Sequence, residues 1–172
     1  MKLFYSRLQI ELTRRCNQSC IHCCRGNSQN IDLTKEIVDT FFEKNDIYCI
    51  SNLLFSGGEP TLNGKMLDYI VDKIIKKEIT VDMFMLSING LTYSKELING
   101  LNKLQKYIIS KSEIPRYKGG LLMISQDQFH KEANKKVIEK LKDLPYFYPV
   151  EKYTIGEKNI LPYGRALENG LS

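Results

Sequence analysis

Short apolar runs and amphipathic helical patterns alternate along most of this 172-residue sequence. The runs predict β-strands, because their apolar side chains are continuous or recur at every second position, whereas a spacing of three and four residues predicts helices. Parallel strands need a crossover connection, usually a helix. The alternation therefore predicts an α/β fold with one parallel sheet and helices outside it. The predicted strands lie at residues 8–13, 52–56, 80–87, 121–125 and 150–155.

Three cysteines follow the first predicted strand in the pattern C-x3-C-x2-C. Cys16, Cys20 and Cys23 lie within eight residues, which is too tight for an ordinary disulfide framework and suits a soft metal or an iron–sulfur cluster. Three ligands would leave one iron of a four-iron cluster open, and a second molecule binds at an open metal position, as in catalytic zinc sites. Cys24 breaks the spacing and Cys49 is remote, so we interpret both as ordinary buried thiols.

A glycine pair follows the second predicted strand. Gly57 and Gly58 let the backbone pass close to a ligand with its N–H and C=O groups bare. Glu59 adds a carboxylate, and Pro60 stiffens the exit. Because parallel strands place their C-terminal ends at one edge of the sheet, we expect this turn and the cysteine loop to lie together.

The cysteine pattern after one strand and Gly57–Pro60 after the next resemble the radical S-adenosylmethionine (radical SAM) enzymes. The resemblance implies an open partial β/α barrel, of which we count about five β/α units where the family usually has six. We expect a single radical SAM core domain over residues 1–172, incomplete at its C-terminus. The resemblance also implies that Cys16, Cys20 and Cys23 hold a 4Fe-4S cluster whose fourth iron binds S-adenosylmethionine. Reductive cleavage then yields a 5′-deoxyadenosyl radical that abstracts hydrogen from a substrate.

The same resemblance implies contacts to S-adenosylmethionine. Gly57, Gly58 and Glu59 match the segment that meets the methionine amino group, and carboxylate and carbonyl oxygens accept hydrogen bonds from an amine. His22 precedes the third cysteine, where the family often has an aromatic residue near the adenine. The alternative is a loop histidine with no special role. Ser87, Ser125 and Asp127 are candidates for contacts to the ribose or the carboxylate, and Arg165 for pairing with a carboxylate of S-adenosylmethionine or substrate.

Several of these side chains have a simpler interpretation. A serine or aspartate can merely end a strand, and Arg165 can be a surface arginine. His130 is either a proton donor near the substrate or a histidine at the start of a helix. We assign no catalytic residue from the sequence.

The composition of the sequence bears on the cellular location of the chain and on its binding partners. No run approaches the roughly 18 apolar residues of a membrane span, and the N-terminus lacks the apolar core of a signal peptide. We expect a cytoplasmic chain with no membrane partner, because clustered thiols also require a reducing compartment. The net charge of +5 is spread over predicted helix faces, and no stretch matches a nucleic-acid-reading motif, so we expect no nucleic-acid partner.

The predictions of substrate class and oligomeric state rest on less specific features of the sequence. The resemblance implies a small-molecule or peptide substrate and an electron donor such as flavodoxin or ferredoxin. An unfinished parallel sheet predicts self-association through its open edge. One alternative is a non-catalytic module that keeps the cluster and S-adenosylmethionine. Another is a structural zinc protein with Cys24 or His22 as fourth ligand, although adjacent Cys23 and Cys24 suit one tetrahedron poorly and zinc leaves Gly57–Glu59 without a role.

Overall fold

A computed structural model describes residues 2–113, 119–149, 152–156, 159–161 and 163–171. In these residues five parallel strands form one sheet in which each strand pairs with its successor in the sequence. The predicted α/β class with an open parallel sheet is confirmed. The strands are β1 (Leu3–Glu11), β2 (Ile47–Ser56), β3 (Thr80–Ile88), β4 (Gly120–Ile124) and β5 (Phe147–Tyr148). The helices are α1 (Lys35–Lys44), α2 (Gly64–Lys76), α3 (Lys95–Lys111), α4 (Lys135–Leu141) and α5 (Arg165–Glu168), and a 3-10 turn spans Pro60–Asn63.

The hydrophobic core joins the strands to the apolar faces of the helices. Its buried side chains repeat at helical spacing in α2 and α3 and at every second position from Phe84 to Ile88 and from Leu122 to Ile124, as the sequence pattern predicts. In β2 the buried positions are spaced by two or three residues. None of the described helices combines the length and the hydrophobicity that a membrane span requires. Fully buried core residues include Ile50, Leu53, Phe84 and Leu122 of the strands and Leu67, Ile70, Leu101 and Leu104 of the helices.

The fifth strand lies earlier than the sequence predicts, so that prediction was wrong in position. β5 ends at Tyr148 because Pro149 follows, and proline lacks the N–H that a strand ladder needs. Residues 150 and 151 of the predicted range lie outside the described residues. In the rest of that range, Tyr153 forms an isolated parallel bridge with Asp127.

The C-terminal ends of β1 to β4 lie at one edge of the sheet, because all neighbouring strands are parallel. The cysteine loop follows β1 and the glycine turn follows β2. Ser87 is the penultimate residue of β3, and Ser125 directly follows β4. The fold therefore brings both motifs to the same edge.

Candidate functional site

A cavity of about 710 Å³ opens at this edge of the sheet. Its volume lies in the range of roughly 300–1,000 Å³ that is typical of small-molecule and cofactor sites. The cavity wall contains all the candidate site residues that the sequence predicts, except Asp127. These lining residues are Cys16, Cys20, His22, Cys23, Gly57, Gly58, Glu59, Ser87, Ser125 and Arg165.

The three candidate ligands are free, half-buried thiols. Burial, and to a smaller extent the charges of the neighbouring Cys16 and Cys23, together raise the pKa of Cys20 to about 11. Burial also raises the pKa of Cys16. Three thiolates at this place are therefore unfavourable unless a positive charge neutralises them, which is what a bound metal or iron–sulfur group provides.

The remaining cysteines lie outside this set. Cys49 is half-buried in β2, away from the cysteine loop. Cys24 is exposed, so the prediction that it is a buried thiol was wrong. The reason is that Cys24 lies in a turn at the surface of the loop, where no core side chains cover it.

The three sulfurs do not lie in one tight group of ligand atoms. Among the described residues, three histidine, cysteine or acidic ligand atoms lie within 4.8 Å of one another at His22, Asp127 and His130, and the cysteines form no such group. Zn–S bonds of about 2.3 Å in a tetrahedron require sulfurs about 3.8 Å apart. A single zinc ion would therefore require the three sulfurs to move closer together.

The glycine turn packs against the backbone that leads into the cysteine loop. The N–H of Gly58 donates to the carbonyl of Thr13 (2.7 Å), and the N–H of Glu59 donates to that of Arg15 (2.8 Å). A Cβ on Gly58 would lie 2.3 Å from the carbonyl oxygen of Arg15, and one on Gly57 2.8 Å from that of Thr13. Both positions therefore require glycine for this close approach, in addition to lining the cavity.

Glu59 is 2% exposed, and its carboxylate is bonded within the protein. One oxygen accepts from the N–H (3.1 Å) and the hydroxyl (2.7 Å) of Thr61, and the other accepts from the N–H of Asn89 (2.8 Å). Burial raises the pKa of Glu59 although these hydrogen bonds oppose the shift. A carboxylate offers about four acceptor sites, so roughly one is left for a ligand. Its contact with the methionine amino group stays a prediction.

Asn17 and Asn89 link the cysteine loop to the end of β3, and sequence reasoning missed both. The side-chain amide of Asn89 donates to Asn17 Oδ1 (2.6 Å), and the amide of Asn17 donates to the hydroxyl of Thr92 (3.0 Å). Because Asn17 directly follows Cys16, these bonds position the start of the cysteine loop. Pairing between residues so far apart in sequence leaves no local spacing signal.

His22, Asp127 and His130 cluster beside the cavity. Asp127 is 2% exposed, with one oxygen 3.5 Å from His22 Nε2 and the other 2.7 Å from His130 Nδ1. The ring of His22 stacks on Phe129 with centroids 4.7 Å apart. Burial lowers the pKa of His22, and Asp127 opposes this shift. Asp127 thus lies behind the cavity wall with one histidine beside each of its oxygens. Its contact with a ribose stays a prediction.

Arg165 holds the cysteine loop from the C-terminal side. Its Nε donates to the carbonyl of Cys20 (3.2 Å), and its Nη1 donates to Asn27 Oδ1 (2.6 Å). Its backbone N–H donates to the carbonyl of Cys23 (2.9 Å). Arg165 therefore lines the cavity with part of its guanidinium already bonded, and its pairing with a ligand carboxylate stays a prediction.

The fold and the site together define an open β/α-barrel protein whose first two loops, a three-cysteine loop and a Gly-Gly-Glu-Pro turn, share one cavity. The chain belongs to the Radical SAM superfamily, whose family model matches residues 10–146. A 4Fe-4S cluster and S-adenosylmethionine are typical of this family.

Two curated proteins are similar in sequence. The uncharacterized protein MJ0907 of Methanocaldococcus jannaschii is 38% identical over 71 residues, which cover 38% of this chain and 23% of MJ0907. The putative peptide biosynthesis protein YydG of Bacillus subtilis is 28% identical over 136 residues, which cover 74% of this chain and 38% of YydG. The matched region thus spans less than half of either relative.

A solved structure shares the fold. Streptococcus suis SuiB, crystallised bound to the precursor peptide SuiA, superposes with a TM-score of 0.53 at 16% identity. The match covers 91% of this chain and 35% of the SuiB chain. At this identity the likeness supports the fold alone.

Proposed function

We propose that this chain acts as a radical SAM enzyme with a 4Fe-4S cluster held by Cys16, Cys20 and Cys23. One observation carries the proposal: the cysteine loop and the Gly57–Glu59 turn, separate in sequence, line the same cavity. When bound, the reduced cluster would supply one electron for cleavage of S-adenosylmethionine to methionine and a 5′-deoxyadenosyl radical, and that radical would abstract hydrogen from the substrate. We assign this chemistry to a single core domain and, because clustered thiols need a reducing compartment, to the cytoplasm.

The residues around the cavity supply binding and orientation. We propose that the last free acceptor site of Glu59, with the backbone of Gly57 and Gly58, receives the methionine amino group. A carboxylate bonded on three sides is held still, which preorganises that contact. We propose that His22 lies near the adenine, that Ser87, Ser125 and Asp127 serve the ribose or carboxylate, and that Arg165 attracts a carboxylate.

We propose a peptide as the substrate class. The support comes from a relative named as a putative peptide biosynthesis protein and from a fold neighbour crystallised with a precursor peptide. The cavity is open at the strand ends, where an extended chain can reach it. A flavodoxin or ferredoxin would supply the electron, and a small-molecule substrate is the alternative.

Anaerobic reconstitution tests the proposal. The purified chain, incubated with iron and sulfide, should gain about four irons and four sulfides and a broad visible absorption. Reduction in the presence of S-adenosylmethionine should then release 5′-deoxyadenosine, measured by chromatography and mass spectrometry. The Cys20→Ala variant should bind no cluster, and the matched Cys24→Ala variant should bind it normally.

The outcomes separate the alternatives. A cluster that binds S-adenosylmethionine without forming 5′-deoxyadenosine would support the non-catalytic module. One zinc per chain with no sulfide would support the structural zinc protein and contradict the proposal.

A further inference from the structure

Three potential metal ligands converge at a place that the radical SAM assignment does not use as a metal centre. One ligand atom from each of His22, Asp127 and His130 lies within 4.8 Å of the others. His22 comes from the cysteine loop, whereas Asp127 and His130 come from the loop after β4. Two imidazoles and one carboxylate are a ligand set that zinc and iron(II) accept in proteins.

The contact between His130 and Asp127 is short but is not a directed hydrogen bond. His130 Nδ1 lies 2.7 Å from Asp127 Oδ1, yet the N–H axis misses the oxygen, so Nδ1 has no hydrogen-bond partner among the described residues. In a hydrogen bond the acceptor lies along the N–H direction. Two ligands of one ion instead both point at a third position. A buried ring nitrogen that lies beside a carboxylate without a hydrogen bond to it is available as a metal ligand.

The distances agree with that interpretation. Ligand bonds of about 2.0–2.2 Å, meeting at angles between octahedral and tetrahedral, place neighbouring ligand atoms roughly 2.8–3.6 Å apart. His130 Nδ1 lies 2.7 Å from Asp127 Oδ1, and His22 Nε2 lies 3.5 Å from the other oxygen, Oδ2. The two rings and the carboxylate therefore lie near enough to share one metal ion.

The charges around Asp127 also favour a bound cation. Asp127 is 2% exposed, and a buried carboxylate requires a positive partner. Among the described residues its ion-pair partners are the two imidazoles, and no Lys or Arg pairs with it. Its Oδ1 also accepts a hydrogen bond from the N–H of Phe129 (2.9 Å), which adds no positive charge. The chain has just these two histidines, and both lie beside the same carboxylate. A divalent cation satisfies the carboxylate and both ring nitrogens at once.

We propose that His22, Asp127 and His130 bind one divalent transition-metal ion of the zinc or iron(II) type. The ion would fasten the cysteine loop, between Cys20 and Cys23, to the loop after β4. It uses none of the cysteine ligands and does not depend on cluster binding or on catalysis. Its binding would replace the direct contact of Asp127 with S-adenosylmethionine that is proposed above.

Cobalt(II) tests the site, because thiolate ligands give intense charge-transfer bands in the near ultraviolet and imidazole and carboxylate ligands do not. A variant with Ala at positions 16, 20, 23 and 24 removes the cysteine ligands. We expect it to bind one Co²⁺ per chain without a thiolate band. Adding Asp127→Asn or His130→Gln should weaken binding by at least tenfold. Asp143→Asn, which changes an exposed carboxylate after α4, is the matched control and should have no effect.

A second variant distinguishes ligation from support of the fold. His130→Cys places a soft ligand at the same position, so it should restore cobalt affinity and introduce a single-thiolate band. Binding unchanged by His130→Gln, or no stoichiometric binding in a chain that folds by circular dichroism, overturns the proposal. If the variant without the four loop cysteines does not fold, elemental analysis of the wild-type chain with its cluster tests the site instead. One zinc or cobalt beyond the iron, lost in His130→Gln, supports the site, and its absence from the wild type overturns it.

Discussion

The backbone N–H of Arg165 donates a 2.9 Å hydrogen bond to the carbonyl oxygen of Cys23. The residue before it, Gly164, has a φ of 56° and packs on the same loop, because its missing side chain leaves room for the carbonyls of Cys23 and Cys24. The segment that begins α5 thus supports the loop that carries the cysteines. This contact gives the C-terminal segment a role in the candidate metal centre.

We predict that Gly164→Ala reduces iron binding. A Cβ there would lie 2.6 Å from the N of Gly26 and 2.7 Å from the carbonyl oxygen of Cys23. The backbone at φ 56° and ψ −133° is also one that residues with a Cβ rarely adopt, at a cost of roughly 1–3 kcal/mol. Iron and sulfide after reconstitution measure the effect. Gly170→Ala is the matched control, since Gly170 also has a positive φ (63°) but no atom within 4 Å of an added Cβ. Equal iron content in both variants would contradict the support role.

We predict that Gly58→Ala destabilises the fold and the site together. The added Cβ would meet the carbonyl oxygen of Arg15 at 2.3 Å, and backbone cannot yield as a flexible side chain does. Overpacking of this kind costs about 1–3 kcal/mol, which urea unfolding can resolve. Gly156→Ala should be neutral, because its nearest neighbour would be 3.6 Å away. A Gly58→Ala midpoint equal to that of the wild type would refute the prediction.

Replacement of Glu59 should affect stability as well as cofactor affinity. Glu59→Ala leaves the buried N–H groups of Thr61 and Asn89 without their acceptor, at a cost of about 1–3 kcal/mol. If Glu59 also accepts from the methionine amino group, S-adenosylmethionine should bind roughly ten- to a hundredfold more weakly. Unfolding in urea measures the first effect, and calorimetric titration of the cluster-loaded chain measures the second. Wild-type affinity in a folded Glu59→Ala chain would show that the amino-group contact is absent.

Metal affinity of the cysteine loop should rise with pH. The raised pKa of Cys20, about 11, means that this thiol holds its proton at neutral pH, and a metal must displace that proton. Raising the pH toward that pKa removes this cost, so affinity increases until the thiol is ionised. Competition of Co²⁺ with a chelator between pH 6.5 and 9, followed at the cobalt–thiolate absorption band, measures the slope for the cysteine site, with Cys20→Ala as the control. An affinity independent of pH would contradict the assigned ligand.

We predict that the chain self-associates through the edge at β5. This strand has two residues, and its Tyr148 is 59% exposed. Exposed apolar side chains beside an unpaired strand edge favour pairing with another chain. Sedimentation at several concentrations should show a mass that rises with concentration and falls in Tyr148→Lys. A monomer at every concentration would show that this edge is already protected.

The α/β class and the meeting of two motifs at one edge could be read from the sequence. Both depend on local periodicity and on the rule that parallel strands end at the same side. The position of β5 could not be read this way, because Val150–Ile155 has the β-branched and aromatic residues typical of a strand although pairing occurs before Pro149. Cys24 was misjudged because its exposure depends on how the loop turns over the sheet.

The sequence by itself determined the spacing of Cys16, Cys20 and Cys23, the Gly-Gly-Glu-Pro turn and the order of strands and helices, because these are local properties of the chain. Only the tertiary structure decided that Glu59 bonds to Asn89, that Arg165 holds the cysteine loop, and that both histidines face Asp127. These contacts join residues from different loops. Their geometry follows from the register of the parallel sheet, which places the loops side by side, and no spacing along the chain encodes it.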